Sequence, residues 1–220
     1  MSFARHMQMM ERKALAHAAE LKAADAGVRA DGGHWMPYAR VSKFTAAQVD
    51  ACRTHLGLDR DPISVELFDF CTPDSYAESI GNGLTRQGRK RLIDRLVGTA
   101  SNQAIDATHA RIGTGDSSTA YADTQTDLQA STNKYWQLVD SAPSIGSGAS
   151  SGVVTCVSTF PTGQGNYAWQ EWGIDGGTAS SSTVTTEGNT TPGMINRKVS
   201  SLGTKTSAAS WVFTVTITLT

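Results

Sequence analysis

Along residues 9–26, apolar side chains recur at helical spacing. Met10, Ala14, Leu15, Ala18 and Leu21 fall on one stripe, and Glu11, Arg12, Lys13, Glu20 and Lys22 lie elsewhere. The stripe is narrow and rich in alanine, so this helix needs something to lie on, and Gly27 can end it. Residues 31–44 (DGGHWMPYARVSKF) lack either period and read as an irregular arm. Thr45 with Gln48 forms a capping box for a second helix, closed by Gly57, with Val49, Cys52 and Leu56 inward. Ile63, Val65 and Leu67 alternate with Ser64 and Glu66, which predicts a strand after the Asp61-Pro62 turn. Residues 85–97 read as a third helix with Leu92, Ile93, Leu96 and Val97 inward.

The pattern then changes to period two. Strands are predicted at about 108–113, 134–140, 152–160, 167–174, 193–199 and 209–219. The last is the clearest: Trp211, Phe213, Val215, Ile217 and Leu219 alternate with Val212, Thr214, Thr216 and Thr218. Segments 144–152 and 176–191, rich in Ser, Thr and Gly, read as mobile loops. The expected fold class is α+β. A helical and irregular N-terminal anchoring region precedes an antiparallel β-sandwich, jelly-roll or immunoglobulin-like. The anticipated parts are a helix and extended docking arm (1–44), a small mixed helical region (45–103) and the β-sandwich (104–220), the last folding by itself.

Composition supports the division. Residues 1–110 carry 27 charged side chains and residues 111–220 carry 12, while about a third of the second half is Ser or Thr. A net charge of -1 argues against an electrostatic nucleic-acid binder. No apolar run reaches the roughly 18 residues of a membrane span, and the first 30 residues lack the apolar centre of a signal peptide. Cys52, Cys71 and Cys156 are too few and too widely spaced for a disulfide framework or a zinc site, and read as buried thiols.

Candidate chemistry is sparse. His6, His17, His34, His55 and His109 show no metal-ligand spacing and read as surface or arm residues. There is no nucleophile elbow. Residues 113–116 (GTGD) lack the GK[ST] ending of a phosphate loop and read as a turn after a strand. Asp116, Asp123 and Asp127 are spaced too widely for an EF-hand. Tyr167, Trp169 and Trp172 suggest a sugar platform, but core packing explains them more simply. Arg86, Arg89, Lys90, Arg91 and Arg95 are the densest run of charge. They form either a solvated helix face or a surface for an acidic protein; nucleic acid is disfavoured because no aromatics interleave with them.

Five short blocks carry a resemblance. Ile112–Gly115, Thr124–Leu128, Glu171–Ile174, Ile195–Lys198 and Leu202–Thr206 fall in the order of a pattern IGxG, TxTxL, EWGIF, LNRK, LGTKT, followed by the amphipathic last strand. Over residues 100–220 the chain resembles a β-domain of tailed-bacteriophage virion proteins. It departs at Asp175, where related sequences often carry an aromatic residue. The resemblance implies a structural part of a virion, on the head or in the tail, with no catalytic residue and no cofactor. The resulting expectation is a non-enzymatic accessory protein, head-associated as a decoration or minor capsid protein. The alternative is a tail or tail-tip component that binds host surface glycan. Its partners would be other virion proteins and further copies of itself, for example in a trimer. Trp35, Tyr38 and Phe44 of the arm, with Arg86, Arg89, Lys90 and Arg91, are the candidate partner-binding residues. An arm with three large aromatics and few regular-structure formers is expected to dock on a neighbouring subunit.

Overall fold

The structure is a computed structural model and describes residues 2–25, 35–81, 83–98, 105–146, 152–176, 183–185 and 194–219. It contains helices and two antiparallel sheets. One sheet has the order β2 (Ser75–Ile80), β1 (Trp35–Phe44), β11 (Ser210–Leu219), β7 (Val153–Phe160), β6 (Ser144–Ile145). The other has the order β3 (Gly83–Leu84), β10 (Met194–Thr204), β8 (Ala168–Asp175), β4 (Arg111–Gly115), β5 (Lys134–Leu138), β9 (Thr183–Thr185). Both sheets feed one core. Val41, Phe213, Val215, Cys156 and Phe160 from the first meet Ile112, Trp169, Trp172 and Ile174 from the second. Trp169 lies edge-on to Phe160 and Trp211, at centroid distances of 4.7 and 4.8 Å.

The predicted amphipathic last strand is present, and both of its faces are buried. Trp211, Phe213, Val215 and Ile217 point into the shared core. Val212 packs in a second cluster with Phe44, Val49, Cys52, Leu67 and Phe68. That cluster lies under α1 (Phe3–Asp25), α2 (Ala46–Leu56) and α3 (Ser64–Phe70), which cover the outer side of the first sheet. α1 needs this support, as its narrow stripe implied: Met10 and Ala14 rest on Tyr38, and His6 stacks on Phe68 with a centroid distance of 4.1 Å.

The arm expected at 31–44 is instead a central strand from Trp35 onward. All ten residues of β1 pair with β11, from Trp35 opposite Leu219 to Phe44 opposite Ser210. Pro37 is tolerated because it lies beyond the end of β2, whose pairing with β1 starts at Tyr38. The first sheet therefore crosses the boundary anticipated near residue 104, and side-chain bonds cross it too. Asp140 accepts from Ser64 N at 3.2 Å, and Asp61 accepts from Thr162 Oγ1 at 2.6 Å. The strand expected at 63–67 is helix α3. Glu66 folds back to accept from Ile63 N at 2.8 Å, and Ser64, Leu67 and Phe68 form a helical inner face. A short apolar run fits both periods, and here packing on α1 and α2 decides.

The capping box of α2 forms as expected: Gln48 N donates to Thr45 Oγ1 at 3.3 Å, Thr45 N donates to Gln48 Oε1 at 2.9 Å, and Gly57 is left-handed at φ 64°. Leu56, however, is exposed. Gly27, His34 and the first part of the expected arm lie outside the described residues, as does much of 144–152 and 176–191, although each of those two segments holds a short strand, β6 and β9.

Candidate functional site

The five sequence blocks converge on the second sheet. Three of them form its adjacent central strands: Ile112–Gly115 in β4, Glu171–Ile174 in β8 and Ile195–Lys198 in β10. On the side away from the shared core, Glu171 and Arg197 meet, with Arg197 Nε donating to Glu171 Oε2 at 2.6 Å. Glu171 also accepts from the backbone N–H groups of Gln129 at 3.0 Å and Ala130 at 2.8 Å. Arg197 reaches Gln125 Oε1 at 3.1 Å and Thr119 O at 2.9 Å. This pair clamps the segment between β4 and β5 flat on the sheet. Burying two charges is tolerable only because nearly every polar atom finds a partner here.

The glycines of the GTGD run follow from this cover, so they are strand residues and not a turn. A Cβ at Gly113 would collide with the Trp136 ring, and one at Gly115 would collide with the Glu171 carboxylate. Leu128 of the TxTxL block packs with Trp136 and Met194. Asn196 Oδ1 accepts from Ile174 N at 2.7 Å beside a register shift in β10. Lys205 of the last block donates to Pro161 O at 2.7 Å and Asn166 Oδ1 at 2.9 Å, and burial pushes its pKa down to about 8. Asp175, where the chain departs from the pattern, receives Arg111 Nη2 at 2.9 Å and has Arg91 Nη1 at 3.8 Å.

Asp116, Asp123 and Asp127 each face a different partner. Asp116 accepts from Asn133, Asp123 from Arg89, and Asp127 from Lys134 and the Trp136 indole. Among the described residues no cluster of His, Cys, Asp and Glu is arranged to hold a metal ion. Trp169 and Trp172 are fully buried in the core and present no face to a sugar. The three cysteines are free thiols, and burial pushes Cys156 up to about 12. His6, expected on the surface, is fully buried; its Nε2 lies 3.0 Å from Thr214 Oγ1, and desolvation together with Arg40 pulls its pKa down to about 3.

The candidate partner-binding residues separate into two groups. Tyr38 and Phe44 are buried under the chain's own helices, and Trp35 is half-buried against the shared core. Their aromatic surface is spent on folding, which removes the basis for a docking arm. The basic residues belong to α4 (Arg86–Leu96), which is capped by Thr85: Gly88 N donates to Thr85 Oγ1 at 3.0 Å. Arg86 and Arg89 are exposed beside Asp123, Lys90 is exposed beside Asp94, and Arg91 is buried against Asp175.

The orientation of α4 reverses the expectation for Leu92, Ile93 and Val97, while the Leu96 side chain lies outside the described residues. Gly88 lies so close to Ile195 O that a Cβ there would clash, and Thr85 and Arg91 share this buried face. Backbone proximity therefore sets the inner face, and Leu92, Ile93 and Val97 turn outward, with Ile93 59% and Val97 62% exposed. A second apolar surface lies between α2 and α3. Leu56, Val65 and Phe70 are exposed there and line an open groove of about 540 Å³ with His55, Glu66 and Asp69. Sequence reasoning missed this groove because its alternating residues were read as a strand.

No helix among the described residues is long and apolar enough to cross a membrane. Comparison with known proteins finds no matching family model, no matching curated protein and no matching solved structure.

Proposed function

We propose that the chain is an accessory structural protein of a tailed-bacteriophage virion, associated with the head as a decoration or minor capsid protein. It acts by binding and not by catalysis. In this reading the two sheets form a β-sandwich, jelly-roll or immunoglobulin-like in kind. The observation that carries it is the convergence of the five virion-like blocks on one sheet and the segment clamped over it. A resemblance scattered across unrelated loops would mean little. Here the glycines, the Glu–Arg pair and the covering segment depend on one another sterically and electrostatically. Outward apolar residues on α4 and in the α2–α3 groove also suit a protein that works in an assembly.

Quantitative mass spectrometry of purified particles tests this. The expected result is the chain at many tens of copies or more per particle. A dozen copies or fewer would favour a tail position, and absence from particles would overturn the reading.

A further inference from the structure

We propose that α4 of one copy docks its outward apolar face into the α2–α3 groove of a second copy, in a head-to-tail contact. This goes beyond the reading above and requires no virion context.

The two surfaces match in chemistry. α4 offers Leu92, Ile93 and Val97, and the groove offers Leu56, Val65 and Phe70. Ile93 and Val97 are four residues apart and adjacent on the helix surface, which is how an amphipathic helix presents anchors to a groove. The charges match as well. Residues 86–97 hold five cations and one carboxylate, whereas residues 45–74 hold six carboxylates and two guanidinium groups. Glu66 and Asp69 line the groove itself. Of the α4 cations, Arg91 is committed internally, but Arg86, Arg89 and Lys90 make exposed ion pairs, which contribute little and exchange readily, Arg89 donating also to Leu84 O at 3.0 Å.

Within one molecule the two surfaces pack on different sheets. α4 packs against β10 beside the edge strand β3 of the second sheet, while α2 and α3 pack on the first sheet. A contact between two unlike surfaces is heterologous. It closes into a ring if the rotation allows, a trimer being one such ring, and otherwise extends as a filament.

Sedimentation velocity on the purified chain over a range of concentrations provides the test. The wild type should self-associate, less so at high salt. Ile93→Glu spoils the helix face and Val65→Lys spoils the groove, and both sites are exposed, so thermal melts should change little. Each variant alone should be monomeric. An equimolar mixture should recover a heterodimer and nothing larger, because one intact helix face and one intact groove remain. Val97→Glu with Leu56→Lys is a second pair that should behave alike. A monomeric wild type, unchanged association of the single variants, or a mixture that stays monomeric would each overturn the proposal.

Discussion

Arg197 and Glu171 stand 2.6 Å apart on neighbouring strands, both fully buried, and through them the segment between β4 and β5 is tied to the sheet. Removing one partner leaves the other charge buried and unpaired, which typically costs about 3–5 kcal/mol. Glu171→Ala should therefore lower stability by that order in urea denaturation and expose residues 116–133 to protease. Glu171→Gln with Arg197→Met should cost less than the two single changes combined. Additive effects in that double-mutant cycle would show that the pair is not coupled.

A fragment of residues 105–220 lacks β1 and β2. Strand β11 would then become a sheet edge, with Val212 and Thr214 stripped of their helical cover. Such a fragment should be aggregated, or should lack a cooperative melt by circular dichroism. A soluble fragment that melts cooperatively would show that the N-terminal strands are dispensable.

How much was legible depended on how local the cause was. Thr45, Gln48 and Gly57 announce α2 because capping is settled within a few residues. The strict alternation of 211–219 announces β11. By contrast, β1 is defined by a partner far away in sequence, and Pro37 and the nearby glycines disguised it. The inner face of α4 is chosen by Gly88 meeting a distant carbonyl, against its own apolar stripe. Glu171 and Arg197 look like ordinary charged residues until β8 and β10 are paired. The blocks marking the candidate site were readable, but the clamp that links them was not.

His6 predicts a pH effect. Its folded pKa is about 3, below the ordinary value of about 6.5, so between those values the unfolded chain binds more protons than the folded one. Its contribution is fully present above the unfolded pKa and is lost as pH falls, at up to about 1.4 kcal/mol per pH unit. Tm should begin to fall below about pH 6.5, and His6→Gln should flatten the profile down to the range where carboxylates titrate. Identical profiles for the two proteins would refute this role.

Gly88→Ala should push α4 away from β10, because the added methyl meets the Ile195 carbonyl. Overpacking of this kind costs about 1–3 kcal/mol. Gly163→Ala, where nothing lies within 4 Å, serves as the control and should leave Tm nearly unchanged. Equal Tm values for the two variants would mean that α4 does not rest on β10 as described.

The central claim is a place on a virion head. Gold-labelled antibody against this chain, imaged by electron microscopy on tailed-phage particles purified from a lysate in which the chain is produced, tests that proposal most directly. Label distributed over the head is the predicted result. Particles that carry no label, while the same antibody recognises free protein in the lysate, would contradict it.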